Sequence, residues 1–127
     1  MSYKQGIDRD QILLIARCLN DLIQPDTICK KIDAFCDNLD LDAYGLIYPA
    51  EALLTASYHP RTLLKLCLYG KVNRISAPKR LEIEAKRNLD VVWLLQALQP
   101  KAKAIANFQR KNTAAIKAIW DDFRKRR

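Results

Sequence analysis

One segment, Pro60 to Asn73, constrains the fold more than any other. Leu63, Leu64, Leu66, Cys67, Leu68, Tyr69 and Val72 follow one another with only Lys65, Gly70 and Lys71 between them. At about 3.6 residues per turn these side chains point almost all the way round a helix, and a helix that is apolar on every side is stable only where neighbours cover it. The spacing therefore predicts a central buried helix over Arg61–Asn73, with Pro60 in its first turn, where the missing N–H has no helical partner to lose. Lys65 and Lys71 are expected to reach outward on their methylene stems. Gly70 costs about 1 kcal/mol relative to Ala in a helix interior, so its presence predicts a close helix crossing.

The rest of the chain supplies the wrapping. Apolar stripes of helical period recur throughout, and no stretch keeps the alternation of a half-buried strand for more than a few residues. The expected fold class is all-α, a compact multi-helix domain. With 127 residues, 50% of them hydrophobic, there is material for one core and too little for two. Helices are predicted over Arg9–Leu22, closed by Pro25, and over Thr27–Asn38, capped by Asp26 and turning Ile28, Ile32, Phe35 and Leu39 inward. An irregular connection over Asp40–Tyr48, packing Leu41, Leu46 and Ile47, leads to a short helix near Ala50–Ala56. After the central helix come a Ser76-capped helix to Arg87 with Pro78 in its first turn, and an Asp90-capped helix, Val91–Leu98, ended by Pro100. A basic helix follows over Lys101–Lys111. The last helix, capped by Asn112 or Thr113, turns Ile116, Ile119, Trp120 and Phe123 inward.

Charge divides the chain in two. Residues 1–57 hold five Lys and Arg against nine Asp and Glu, a net −4, which leaves +12 for residues 58–127. The first part reads as acidic opening helices and a connection, the second as a basic helical core. A field of one sign concentrates polyanions such as nucleic acid or an anionic membrane surface. Lipid fits less well, because the basic part lacks one long helix with a clean aromatic face. No apolar run nears the roughly 20 residues of a membrane span, and Met1-Ser2-Tyr3-Lys4 does not open like a secretory signal, so no membrane partner and a cytoplasmic location are expected.

Residues that carry chemistry elsewhere are poorly grouped for it here. Cys18, Cys29, Cys36 and Cys67 form no CxxC pair and His59 is the single histidine, so the cysteines read as small buried hydrophobes. Asp33 with Asp37, and Asp40 with Asp42, lack the further ligands of a metal site and read as solvated acidic faces. His59, at a helix entrance, reads as a capping or packing residue. No Gly-rich phosphate loop or nucleophile elbow is present. The sequence therefore predicts no catalytic residue, no metal and no cofactor.

A different chemistry is suggested at about residues 90–112. A short helix, a tight joint at Gln99-Pro100 and a basic helix have the dimensions of a helix-turn-helix. A groove-reading helix must hold itself by one apolar side and present long donors on the other, and here Ile105 and Phe108 oppose Lys103, Asn107 and Arg110. Asn107 and Arg110 are the candidates for base edges, with Lys101, Lys103 and Lys111 for phosphates. Arg74, Lys79, Arg80, Lys86 and Arg87 supply a second basic cluster, and the terminal Arg124–Arg127 run a third. Part of that second cluster's charge is expected to be neutralised locally, since Glu82 and Lys86, like Glu84 and Asn88, stand at i, i+4.

Longer stretches add to this. Tyr58-His59-Pro60-Arg61-Thr62-Leu63-Leu64-Lys65-Leu66, Leu68-Tyr69-Gly70, Asn73-Arg74-Ile75-Ser76, Arg80-Leu81-Glu82, Arg87-Asn88, Trp93-Leu94-Leu95, Ile105-Ala106-Asn107-Phe108 and Lys111-Asn112 occur in that order. Before them stand Leu19-Asn20-Asp21-Leu22-Ile23, Asp33-Ala34-Phe35 and Leu39-Asp40-Leu41. In these the chain resembles the N-terminal domain of InsH-type insertion-sequence transposases, DDE enzymes that move simple mobile elements. The resemblance implies a helical domain that binds duplex DNA at the element's terminal inverted repeats, ahead of an RNase H-like catalytic domain. The family's catalytic Asp, Asp and Glu lie beyond the resembling region, so the chain is expected to bind element ends as a truncated or stand-alone domain, without strand transfer. Self-association or pairing with an intact transposase is the further partner expectation. The alternative is an interaction protein that pairs with and inhibits the intact enzyme through Trp93, Trp120 and Phe123, or an inactive remnant. Where family members read Pro-Asp-Phe, a Thr or Ser before Ile-Ala and an Arg after Phe, this chain has Pro100-Lys101-Ala102, Ala104 and Gln109. Without that cap the reading helix is expected to start at Pro100.

Overall fold

A computed structural model describes residues 27–46 and 58–126. The predicted helices over Arg9–Leu22 and Ala50–Ala56, together with Cys18, Asp26, Ile47 and Arg127, lie outside them. The fold is all-α. Its elements run α1 (Ile28–Asp37), a 3-10 turn (Asp42–Tyr44), α2 (Pro60–Asn73), α3 (Pro78–Arg87), α4 (Leu89–Leu94), α5 (Ala102–Lys111) and α6 (Thr113–Arg126).

The leucine-rich segment lies at the centre, as its composition demands. Every residue from Leu63 to Gly70 is buried, and α2 touches each of the other five helices. Leu64, Leu66 and Leu68 are fully enclosed, each contributing roughly 1.5–3 kcal/mol by burial. His59 opens the helix: its Nδ1 accepts the Arg61 N–H at 3.1 Å, with Pro60 in the first turn. The capping expectation for His59 is met.

Lys65 does not reach outward. It is buried, and its Nζ is held by Asp33 Oδ1 at 2.8 Å and Asp37 Oδ1 at 2.9 Å. The carboxylates expected to form a solvated face instead clasp a core lysine and tie α1 to α2. Asp40 is also local structure, since its Oδ1 accepts the N–H groups of Asp42 and Ala43 at the 3-10 turn. Arg61 closes the far end of α1 by donating to the carbonyls of Cys36 and, at 2.8 Å, Leu39.

Gly70 is explained by its own chain more than by a crossing helix. Arg74 takes a left-handed conformation at φ 57°, and the Ile75 N–H returns to the Gly70 carbonyl at 2.7 Å. This Schellman closure lays the backbone over Gly70, where a Cβ would stand 2.3 Å from the Ile75 oxygen, with Leu81 of α3 next at 3.1 Å. A second such closure ends α4 at Leu94, four residues before the predicted end. Gln96 and Ala97 are left-handed, and the Ala97 N–H bonds to the Val92 carbonyl at 2.9 Å.

Three caps differ from expectation. Thr27 caps α1, its Oγ1 accepting the Lys30 N–H. Ala77, with no capping side chain, precedes α3 in place of Ser76. Asn88 caps α4 by accepting the Asp90 N–H at 2.9 Å, so Asp90 sits in the first turn. The buried line of α1 is Cys29, Ile32, Asp33 and Cys36, while Ile28 and Phe35 are half-buried. Burial pushes the thiols of Cys29, Cys36 and Cys67 up to about 12, which leaves them protonated core side chains. On α6, Ile116, Ile119 and Phe123 are buried, and Phe123 meets Phe35 of α1 edge-on at 5.2 Å between centroids.

Candidate nucleic-acid interface

The helix α5 is amphipathic in the sense the sequence predicts. Ile105 is 0% and Phe108 6% exposed, and they anchor α5 on the body. Lys103, Asn107 and Arg110, four and three residues apart, share the opposite face. Lys103, Arg110 and the flanking Lys101 and Lys111 are exposed, and Asn107 is half-buried. None of these four cations pairs with a carboxylate among the described residues. Arg110 Nη2 instead donates to Asn107 Oδ1 at 2.7 Å.

The start of α5 is set from outside it. Pro100 is fully buried and does not begin the helix. Lys101 occupies the N-cap position with no capping side chain, and the acceptor comes from α3, where Glu82 Oε1 takes the Ala102 N–H at 3.1 Å. That bond, with Lys79 and Lys86 nearby at 3.8 Å and 3.4 Å, holds the Glu82 carboxyl below its usual range. At the other end, Gln109 Nε2 donates to the Ser76 carbonyl at 3.2 Å. These two contacts lay α5 antiparallel beside α3. The joint from α4 spans residues 95–101, wider than the tight joint expected, and α4 and α5 each pack on α3 more than on each other.

The second cluster is partly assembled. Arg74 is exposed at the end of α2 and Lys79 and Arg80 at the start of α3. The Gln109–Ser76 contact brings the Arg74 corner to the C-terminal half of α5, and the Lys79–Glu82 pair brings Lys79 to its N-terminus. Among the described residues no hydrogen bond or ion pair ties Arg80 to α5. A cleft of about 450 Å³ opens beside this corner, with Lys71, Arg74, Gln109 and Thr113 at its polar rim and Cys67 and Ile116 among its apolar lining. Lys71, Gln109 and Glu82 were not among the residues singled out for binding. Lys71 precedes Arg74 by three residues, a readable helical spacing, whereas the Glu82–Ala102 bond spans 20 residues that no local spacing connects. In the terminal run, Arg124 is engaged by Asp121 at 2.6 Å and lies over the Trp120 ring. The expected partner surface also changes. Phe123 is core, Trp93 lies under Lys30 and is half-buried, and among the described residues the exposed large hydrophobics are Ile83 and Leu89.

Among the described residues no group of His, Cys, Asp and Glu is placed to hold a metal ion, and no helix is long and apolar enough to cross a membrane. What the fold and this surface define is a small helical domain presenting one basic, donor-rich helix. Residues 17–111 match the family described as Transposase domain (DUF772), and the chain belongs to that family of transposase domains. It is also similar to the phosphonates import ATP-binding protein PhnC of Halobacterium salinarum, with 28% identity over 116 residues. That match covers 85% of this chain and 40% of PhnC, so the chain spans well under half of that relative's length. No solved structure matches it.

Proposed function

We propose that this transposase-related domain binds duplex DNA, with α5 as its groove-reading helix, and that these 127 residues do so without themselves catalysing strand transfer. The observation that carries the reading is the opposition on α5 of two buried anchors, Ile105 and Phe108, to an outer face of Lys103, Asn107 and Arg110 that meets no carboxylate among the described residues. Long donors on a helix braced from behind suit the major groove, where Arg and Asn meet base edges and Lys meets phosphates. In this reading Lys101, Lys103 and Lys111 hold the backbone, Arg74 and Lys79 contact flanking phosphates, and α4 with α5, at about residues 90–112, form the helix-turn-helix-like unit. Terminal inverted repeats of a mobile element are the proposed target. The ATP binding named for PhnC is not carried over. A phosphate-cradling P-loop needs two glycines five residues apart followed by Lys and Ser or Thr, and the glycines here stand at 6, 45 and 70.

The test is a gel-shift series on duplex DNA at low and moderate salt. The wild-type chain retards the duplex at low salt, and a Lys103→Glu, Arg110→Glu variant of unchanged helicity does so much less. Equal retardation by the two removes α5 from the interface.

A second reading has an observation of its own. Ile83 and Leu89 are 43% and 50% exposed at α3 and the start of α4, an apolar pair that suits pairing with an intact transposase. Light scattering and pull-down with such an enzyme distinguish the two. Tight association without DNA retardation favours the interaction protein.

A further inference from the structure

We propose that Arg110 reads a guanine in the major groove and that Asn107 positions it instead of reading a base itself; this rests on α5 being the DNA-binding helix. Arg110 Nη2 and Asn107 Oδ1 are 2.7 Å apart, and the chemistry of the pair fixes which amide atom is involved. A guanidinium has no acceptor, so the atom facing it must be the oxygen. Asn recognises adenine by accepting from N6 with its oxygen while donating to N7. With that oxygen bonded to a guanidinium, a positive charge stands where the adenine amino group would have to come. The remaining N–H groups of Arg110 suit guanine, whose N7 and O6 are both acceptors that two parallel N–H groups can meet.

Position favours the same assignment. Arg110 is exposed, while Asn107, one turn earlier, is half-buried on the same face. Holding one nitrogen orients the planar fork before binding, so less freedom is lost when it engages a base. Ala104 and Ala106, either side of this face, are half-buried and small, which leaves the helix slim enough to bring a braced arginine to the groove floor. Asn107 is therefore a positioning residue, and Arg110 sets the specificity.

Duplexes selected from a randomised pool by the 127-residue chain at low salt are expected to share a guanine. Replacing that guanine with 7-deazaguanine, which lacks the N7 acceptor, lowers affinity about tenfold, in the range of a lost base contact. Arg110→Met, which has no donor for O6 and N7, abolishes the preference. Asn107→Ala loses most of it, and Asn107→Asp, which retains an acceptor for the guanidinium, restores it. A selected adenine whose recognition fails in Asn107→Asp, a guanine preference that survives Arg110→Met, or a pool that binds with no shared base overturns the proposal and leaves DNA binding by α5 in place. A chain that retains no duplex at all overturns both.

Discussion

Lys65 is a cation enclosed in the core, and its two carboxylates differ. The Asp33 side chain is 12% exposed and that of Asp37 52%, so the bond to Asp33 carries most of the coupling between α1 and α2. Lys65→Met is expected to lower unfolding free energy by about 3 kcal/mol, because it leaves a buried carboxylate without its cation; denaturant melts check this. Arg74 behaves in the opposite way. A side chain in the left-handed region costs about 1 kcal/mol, so Arg74→Gly is expected to raise stability by about that much while weakening DNA retention. His59 gives a pH dependence. Burial, then Arg61 and Lys65, push its pKa below the usual 6.5, and its capping nitrogen must be neutral to accept the Arg61 N–H. The unfolded chain binds the proton more readily, so this contribution is full above about pH 6.5 and is lost as pH falls toward the folded value. His59→Asn, which keeps a cap, is expected to flatten the fall in melting temperature below about pH 6.5.

At the scale of elements, α5 depends on α3 for its start. Glu82 supplies from another helix the acceptor that Lys101 does not, and its anionic form is favoured near a helix N-terminus. Glu82→Ala is expected to speed amide exchange over the first turn of α5 while the amides of α2 keep their protection. An unchanged α5 would show the helix to be braced by Ile105 and Phe108 alone. Which elements exist was legible because burial alone dictates them: an all-round apolar α2 and a two-faced α5 each have one stable placement. Their ends were harder. Schellman closures normally advertise themselves with glycine, and here Arg74 and Gln96 hold those positions, so α4 reads as too long. Ser76, Asp90 and Pro100 all look like helix starts in isolation. The actual caps, Asn88 and the distant Glu82, are selected by packing of α3 against its neighbours. For the candidate site, the outward face of α5 was visible from its period, whereas its braces, the Ser76 carbonyl and Glu82, become visible only once α3 lies antiparallel beside it.

For the whole molecule, the acidic and basic parts of the chain do different work. Carboxylates of the first part, Asp33 and Asp37, are consumed in holding the core. On the second part Glu82 quiets Lys79 and Lys86, while the cations of α5 meet no carboxylate among the described residues. Among the described residues this net +8 chain presents a local basic helix, and the proposed binding of a polyanion there would release its counterions. The most direct test is the dissociation constant for duplex DNA measured across a salt series, for the wild type and for Lys103→Glu, Arg110→Glu. With about five phosphates neutralised, log K against log salt is predicted to slope at about −4 to −5, and the variant's slope is predicted to be shallower by more than one. A wild-type slope near zero, or one that the charge reversal leaves untouched, contradicts DNA binding through α5.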